Sequence, residues 1–211
     1  MKKVIPIDPD DPDSSLLSDA AALIRKGGVV AIPTDTFYGL AANPFDSQVV
    51  SRLFDIKGRE SSKPILLLIS RLEMLPSLVE EISPLAEKVM ARFWPGPLTL
   101  IFKASKRLPD LLTGGTGTIG IRFPKAVLPV RLIDRVGFPI TATSANRSGE
   151  PSPASAQEVA RALGASLDGI LDGGPCSTLP STVLDVTTSE PNLLREGRVS
   201  AEQLAPFIAK E

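Results

Sequence analysis

The chain of 211 residues has no histidine and a single cysteine, tryptophan and tyrosine. The missing imidazole excludes Ser-His-Asp and Cys-His catalysis and leaves a structural zinc site short of ligands. Cys176 alone cannot close an internal disulfide, which fits a reducing compartment. Aromatic residues make up 5% of the chain, little for a surface that grips RNA by stacking on its bases. No apolar run approaches membrane-spanning length, and the opening "MKKVIPIDPDDPD" carries prolines and aspartates where a signal peptide needs an apolar stretch, so the expected location is the cytoplasm, with no membrane contact. With 23 Lys and Arg against 24 Asp and Glu, net charge selects no partner. Chemistry is left to hydroxyls, carboxylates, lysines, arginines and a metal borrowed with a substrate.

What is present is ordinary globular material, 43% apolar and 22% charged, at a length that fits one α/β domain over residues 1–211. "KVIPI" and "VVAIP" have the pattern of strands, and "ILLLIS" that of an inner strand covered on both faces. "SLLSDAAALIRK" follows the capping pair Asp13-Ser14 and stops at Gly27-Gly28. "SQVVSRLFDIK", "SPLAEKVMARFW" behind Ser83, "AVLPVRLIDRVG" and "SAQEVARALG" with a Ser155/Glu158 capping box are further helices. "LTLIFKA" and "TIGIRFP" suggest antiparallel pairing, "FPITATS" one strand, "STVLDVT" and "NLLRE" a final strand pair, and "SAEQLAPFIAK" a last helix that Pro206 interrupts. Alternating strands and helices predict an α/β fold, a twisted mixed sheet flanked by helices.

Four stretches carry chemistry. In "KGRESSKP", a chain leaving the helix extended would aim Lys57 and Arg59 to one side of Gly58, with Lys63 and hydroxyls completing a nest for a polyanion, against the plainer reading of a charged helix end. "TATSANRSGEPSPAS" places Ser144 and Asn146 two apart after a strand, where α/β sheets present ligand-binding groups or where a Ser/Asn-rich turn only satisfies itself. "IPTDTFYGLAANPF" lets Thr34 and Thr36 face a pocket on either side of Asp35. In "GTIGIRFP", Thr118 and Arg122 share a strand face, and Arg122, like Arg195 in "LLREGR", needs either a ligand carboxylate or an internal one.

The succession "PTDTFYGLAA", "KGRESSKP", "WPGPLTLIF", "GTIGIRFP", "TSANRSGEPSP", "STVLD", "LLREG", over roughly residues 10 to 200, closely resembles the YrdC/TsaC family of threonylcarbamoyl-AMP synthases. The resemblance implies a YrdC-like fold with a large concave cleft. It implies an enzyme, a nucleotidyltransferase, that joins L-threonine, bicarbonate and ATP into L-threonylcarbamoyladenylate and pyrophosphate. A transferase complex then moves the threonylcarbamoyl group to adenosine 37 of tRNA. By similarity Lys57, Arg59, Ser144 and Asn146 form the catalytic tetrad. Arg59, Lys63, Thr118, Ser144, Ser152 and Arg195 would contact ATP, and Thr36, Arg122, Ala142 and Ser181 would contact threonine. Mg²⁺ would arrive on ATP rather than in a protein-built site. Longer members carry histidine at the position of Leu68 and asparagine at that of Lys63. Two other readings stand beside it: a module that binds tRNA or double-stranded RNA, and a nucleotide-binding paralogue without threonine activity.

Overall fold

The computed structural model describes residues 4–60, 62–177 and 179–208. The chain opens with β1 (Val4–Pro6) and α1 (Ser14–Arg25), where the Asp13 carboxylate accepts the amides of Ser15 and Leu16 at 2.8 and 3.0 Å. Next come β2 (Val30–Ile32), β3 (Gly39–Ala41) and α2 (Ser47–Lys57), the last capped by Asp46 and ended by Gly58 in the left-handed conformation at φ 55°. β4 (Leu67–Leu68), a 3₁₀ turn at Leu72–Ser77, α3 (Pro84–Phe93) behind its Ser83 cap, β5 (Leu98–Lys103), α4 (Asp110–Thr113) and β6 (Thr118–Arg122) make up the middle. The remainder is α5 (Val127–Val136), β7 (Ile140–Thr141), β8 (Thr143–Ser144), α6 (Ala156–Leu163), β9 (Gly169–Asp172), β10 (Thr182–Asp185), β11 (Asn192–Arg195) and α7 (Ala201–Ile208).

The expected α/β class, with mixed strand directions flanked by helices, is the one observed, but the strands divide between two sheets. One has the order β1-β9-β2-β3-β8 and the other β11-β10-β5-β6-β4-β7. The stretch expected as one strand, "FPITATS", is where they divide. Ile140–Thr141 pair with β4 in the larger sheet, whereas Thr143–Ser144 pair with β3 in the smaller. Ala142 lies between, its amide donating to the Leu66 carbonyl at 3.0 Å. "ILLLIS" is an inner strand as expected, with β6 parallel on one side and β7 antiparallel on the other. β5 and β6 pair antiparallel, as do β10 and β11.

Helices cover the sheets in part through α1 against α5 and β2, and α6 against β9. The buried apolar side chains form one cluster, with Ile32 and Leu40 from the smaller sheet and Leu67, Leu100 and Ile121 from the larger all fully buried. Each contributes on the order of 1.5–3 kcal/mol. Pro206 does not interrupt α7: the helix runs through it to Ile208. A proline removes only one backbone donor, and Leu204, fully buried, with Phe207 packed edge-on against Phe93 at 5.7 Å, holds the helix in place. In α6 the Ser155 hydroxyl accepts the Glu158 amide at 3.3 Å, and the Glu158 carboxylate reaches back one residue further than a standard capping box, to the Ala154 amide at 2.7 Å.

Candidate active site

A cavity of about 240 Å³ lies where the two sheets exchange the chain. Strand alternation builds its floor from the larger sheet. Thr99 and Ile101 on β5, Gly120 and Arg122 on β6, and Val183 on β10 line one face. Gly120 fits closely there: a Cβ would come within 3.2 Å of Ile101 Cδ1 and 3.3 Å of Thr99 Cγ2, so those side chains would have to give by a few tenths of an ångström. The smaller sheet and its loops supply Thr34, Thr36, Phe37, Gly39, Thr143 and Ser144, and Arg59, Ser152, Ser181 and Arg195 come from connections and the β11 end.

At one end sits Arg122, its side chain 3% exposed. It donates to Thr36 Oγ1 at 2.9 Å and Thr34 Oγ1 at 3.3 Å, and Asp35 Oδ1 lies 3.5 Å from its Nη2. Burial lowers the Arg122 pKa and Asp35 opposes the fall. The Asp35 side chain is itself 10% exposed, and neither carboxylate oxygen has a hydrogen-bond partner, so this is an ion pair without hydrogen-bond geometry. The Nε of Arg122 is buried and unpartnered. Beside it the Ser181 and Thr99 hydroxyls lie 3.0 Å apart, and Arg195 donates to the Ser181 carbonyl through Nε at 3.1 Å and Nη2 at 2.9 Å. The internal partner weighed for the strand arginine is thus present as Asp35, whereas Arg195 bonds a backbone carbonyl.

At the other end Arg59 donates to Thr143 Oγ1 at 3.3 Å and the Pro64 carbonyl at 2.8 Å, again leaving a buried Nε without a partner. Lys57 does not accompany it. The chain leaves α2 through the left-handed Gly58 rather than extended, which turns the two side chains apart. Lys57 is 2% exposed, outside the cavity lining, and its Nζ donates to the carbonyls of Ser144 and of Asn146, the latter at 2.8 Å, and to Asn146 Oδ1 at 3.3 Å. Burial, and after it the charge of Arg59, pull its pKa down to about 7, while the surrounding oxygens favour the ammonium.

Of the residues singled out from sequence, Thr36, Arg59, Arg122, Ala142, Ser144, Ser152, Ser181 and Arg195 line this one cavity. Lys57, Lys63, Thr118 and Asn146 do not. Lys63 sits 3.6 Å from Glu60 in an exposed pair, and the Thr118 hydroxyl engages that of Thr116 at 2.9 Å. Asn146 is spent internally, its Nδ2 donating to the Glu150 carbonyl at 2.5 Å. Sequence reasoning passed over Thr99, Gly120 and Thr143. For Thr99 and Gly120 the signal was alternation: Thr99 stands two before Ile101, and Gly120 lies midway between Thr118 and Arg122.

A family model for Sua5/YciO/YrdC, described as telomere recombination, matches residues 22–197. The chain belongs to this family. Among its relatives are threonylcarbamoyl-AMP synthases of Pyrococcus abyssi, 42% identical over 90% of this chain, and of Bacillus subtilis, 42% identical over 91%. The chain spans 56% of the length of each. The crystal structure of P. abyssi Sua5 complexed with L-threonine superposes with a TM-score of 0.94 at 39% identity, over 98% of this chain and 61% of that one.

Proposed function

We propose that this member of the Sua5/YciO/YrdC family is an enzyme of the nucleotidyltransferase class that condenses L-threonine, bicarbonate and ATP into L-threonylcarbamoyladenylate, releasing pyrophosphate. The observation that carries the reading is one cavity lined by three arginines, Arg59, Arg122 and Arg195, among the hydroxyls of Thr36, Ser144, Ser152 and Ser181. Two separate anionic groups can be held at once by such a set. The relatives' names and the threonine complex of the P. abyssi structure support the assignment of one of those anions to an amino acid.

Arg122, Thr36, Ser181 and the backbone of Ala142 would hold threonine. Arg59, Ser144, Ser152 and Arg195 would hold ATP. The threonine amine adds to the carbon of bicarbonate with loss of water, or to carbon dioxide with loss of an amine proton, to give a carbamate. A carbamate oxygen then attacks the α-phosphorus, and the bond to the β-phosphate oxygen breaks as pyrophosphate leaves. Positioning and charge neutralisation drive such a step, and Arg59 supplies the second. Mg²⁺ on the nucleotide would add charge neutralisation. ATP phosphates and water would be its main ligands, because Mg²⁺ keeps several waters and needs few protein carboxylates. Among the described residues no helix is long and apolar enough to cross a membrane. The same reading places the chain in the cytoplasm, with its product passed to a transferase complex that acts on tRNA.

The test is incubation of the purified protein with ATP, Mg²⁺, L-threonine and bicarbonate, followed by mass spectrometry. Threonine-dependent pyrophosphate and the adenylate are expected; pyrophosphate release indifferent to threonine overturns the reading.

A further inference from the structure

An ammonium has three N–H donors and no acceptor. In Lys57 all of them find protein oxygens: the carbonyl of Ser144, the carbonyl of Asn146 at 2.8 Å and Asn146 Oδ1 at 3.3 Å. The contact is returned, since the Ser148 amide donates to the Lys57 carbonyl at 2.8 Å. Beyond Ser144 the chain enters no strand or helix until α6, and it bends through Gly149 at φ 87°. Asn146 relays the hold onward through its Nδ2 to the Glu150 carbonyl, two residues before Ser152 enters the cavity.

We propose that Lys57 is a positioning residue: it clamps the turn at residues 144–148 to the end of α2, so that Ser144 and Ser152 face the cavity, and it does not touch the nucleotide. This rests on the reading of the cavity as a nucleotide site. Arg59, two residues on, faces the cavity, and the left-handed Gly58 between them assigns one cation to the ligand and the other to the frame.

The experiment compares Lys57→Met, similar in length but without donors, with the parent protein. Amide hydrogen exchange is followed without nucleotide over residues 143–152, where Ala145 and Ser148 have bonded amides, and over α1 as a control. Exchange in the turn should quicken by about tenfold or more, the factor equivalent to losing one hydrogen bond, with α1 unchanged. The ATP Kd should rise by roughly tenfold or more, with saturating kcat within about threefold of the parent, because a misplaced turn weakens binding and leaves the reacting groups intact. Unchanged exchange in the free protein, together with a fall in kcat of about 10²-fold, overturns the proposal and returns Lys57 to the phosphates. If Lys57→Met does not fold, Asn146→Ala removes two of the clamp's links while keeping the lysine, and the same local exchange and ATP response is expected. A silent turn in that variant overturns the proposal equally. The exchange measurement needs no turnover, so a protein that makes no adenylate would refute the function and still decide the clamp.

Discussion

At one end of the cavity Arg122 is fixed inside a strand by two threonine hydroxyls and a buried carboxylate, while at the other Arg59 reaches out of a loop to one hydroxyl and one carbonyl. Both guanidiniums line the same cavity, and each keeps a buried Nε without a protein partner. The difference lies in what else each one holds. Arg122 is the counter-charge of a carboxylate that has no other ion-pair or hydrogen-bond partner among the described residues, so its end of the cavity is part of the core. The Arg59 end is assembled from connections pinned by individual bonds, where ligand binding can be altered while the fold survives.

The largest effect follows from the buried pair. Arg122→Met strands Asp35 without a counter-charge and should cost about 3–5 kcal/mol in urea unfolding, with Asp35→Asn added to it recovering part of the loss. A cost below about 1 kcal/mol would make the two ends alike and end the comparison. Arg59→Ala should divide its effects the other way: adenylate formation slows by about 10²-fold, while unfolding changes by about 1 kcal/mol. A large stability loss with normal turnover in that variant would move Arg59 into the frame.

The effect smallest per step, one pH unit, is at Lys57. Its folded pKa, about 7, is depressed from the ordinary lysine value of 10.5. Between those values the unfolded chain binds a proton that the folded chain does not, so stability should rise with pH across this window, by at most about 1.4 kcal/mol per unit. A neutral amine keeps two N–H donors, so the clamp persists as the proton leaves. Lys57→Met should lack this rise. Parallel stability curves for the two proteins from pH 7 to 10 would show that the surrounding oxygens, and not burial, govern the ammonium.

Helix boundaries were legible because caps are local: Asp13, Ser83 and Ser155 each bond an amide within three residues. Strands β3 and β9 were not legible. Each begins with glycine and runs only three or four residues, too short for a period to show. The division into two sheets was hidden in "FPITATS", an unbroken apolar-to-hydroxyl run whose two halves find different partners far along the chain. Ser144 and Arg122 could be picked out because they stand at a strand end or against an apolar pattern, whereas Ser152 came from the family resemblance alone. Lys57 misled because two-residue spacing implies a shared side only in an extended chain, and Gly58 is left-handed. The pairing of Arg122 with Asp35 was written as two half-clues, a strand arginine and a carboxylate between threonines, which only the tertiary fold joins.

The passage of Ile140–Ser144 from one sheet to the other bears on which length changes the chain can absorb. Side chains alternate along both short strands, so one residue inserted at Ala142 would reverse the facing of Thr143 and Ser144 against β3, or of Ile140 and Thr141 against β4. The first slip withdraws Thr143 and Ser144 from the cavity wall, and the second turns Ile140 and Thr141 out of their buried places, because the same five residues serve two frameworks. One residue inserted among Asp8–Asp11, a connection outside both sheets, would only lengthen a loop. The permitted drift in length is therefore confined to the periphery, and the crossing acts as a fixed index that keeps the two sheets in phase.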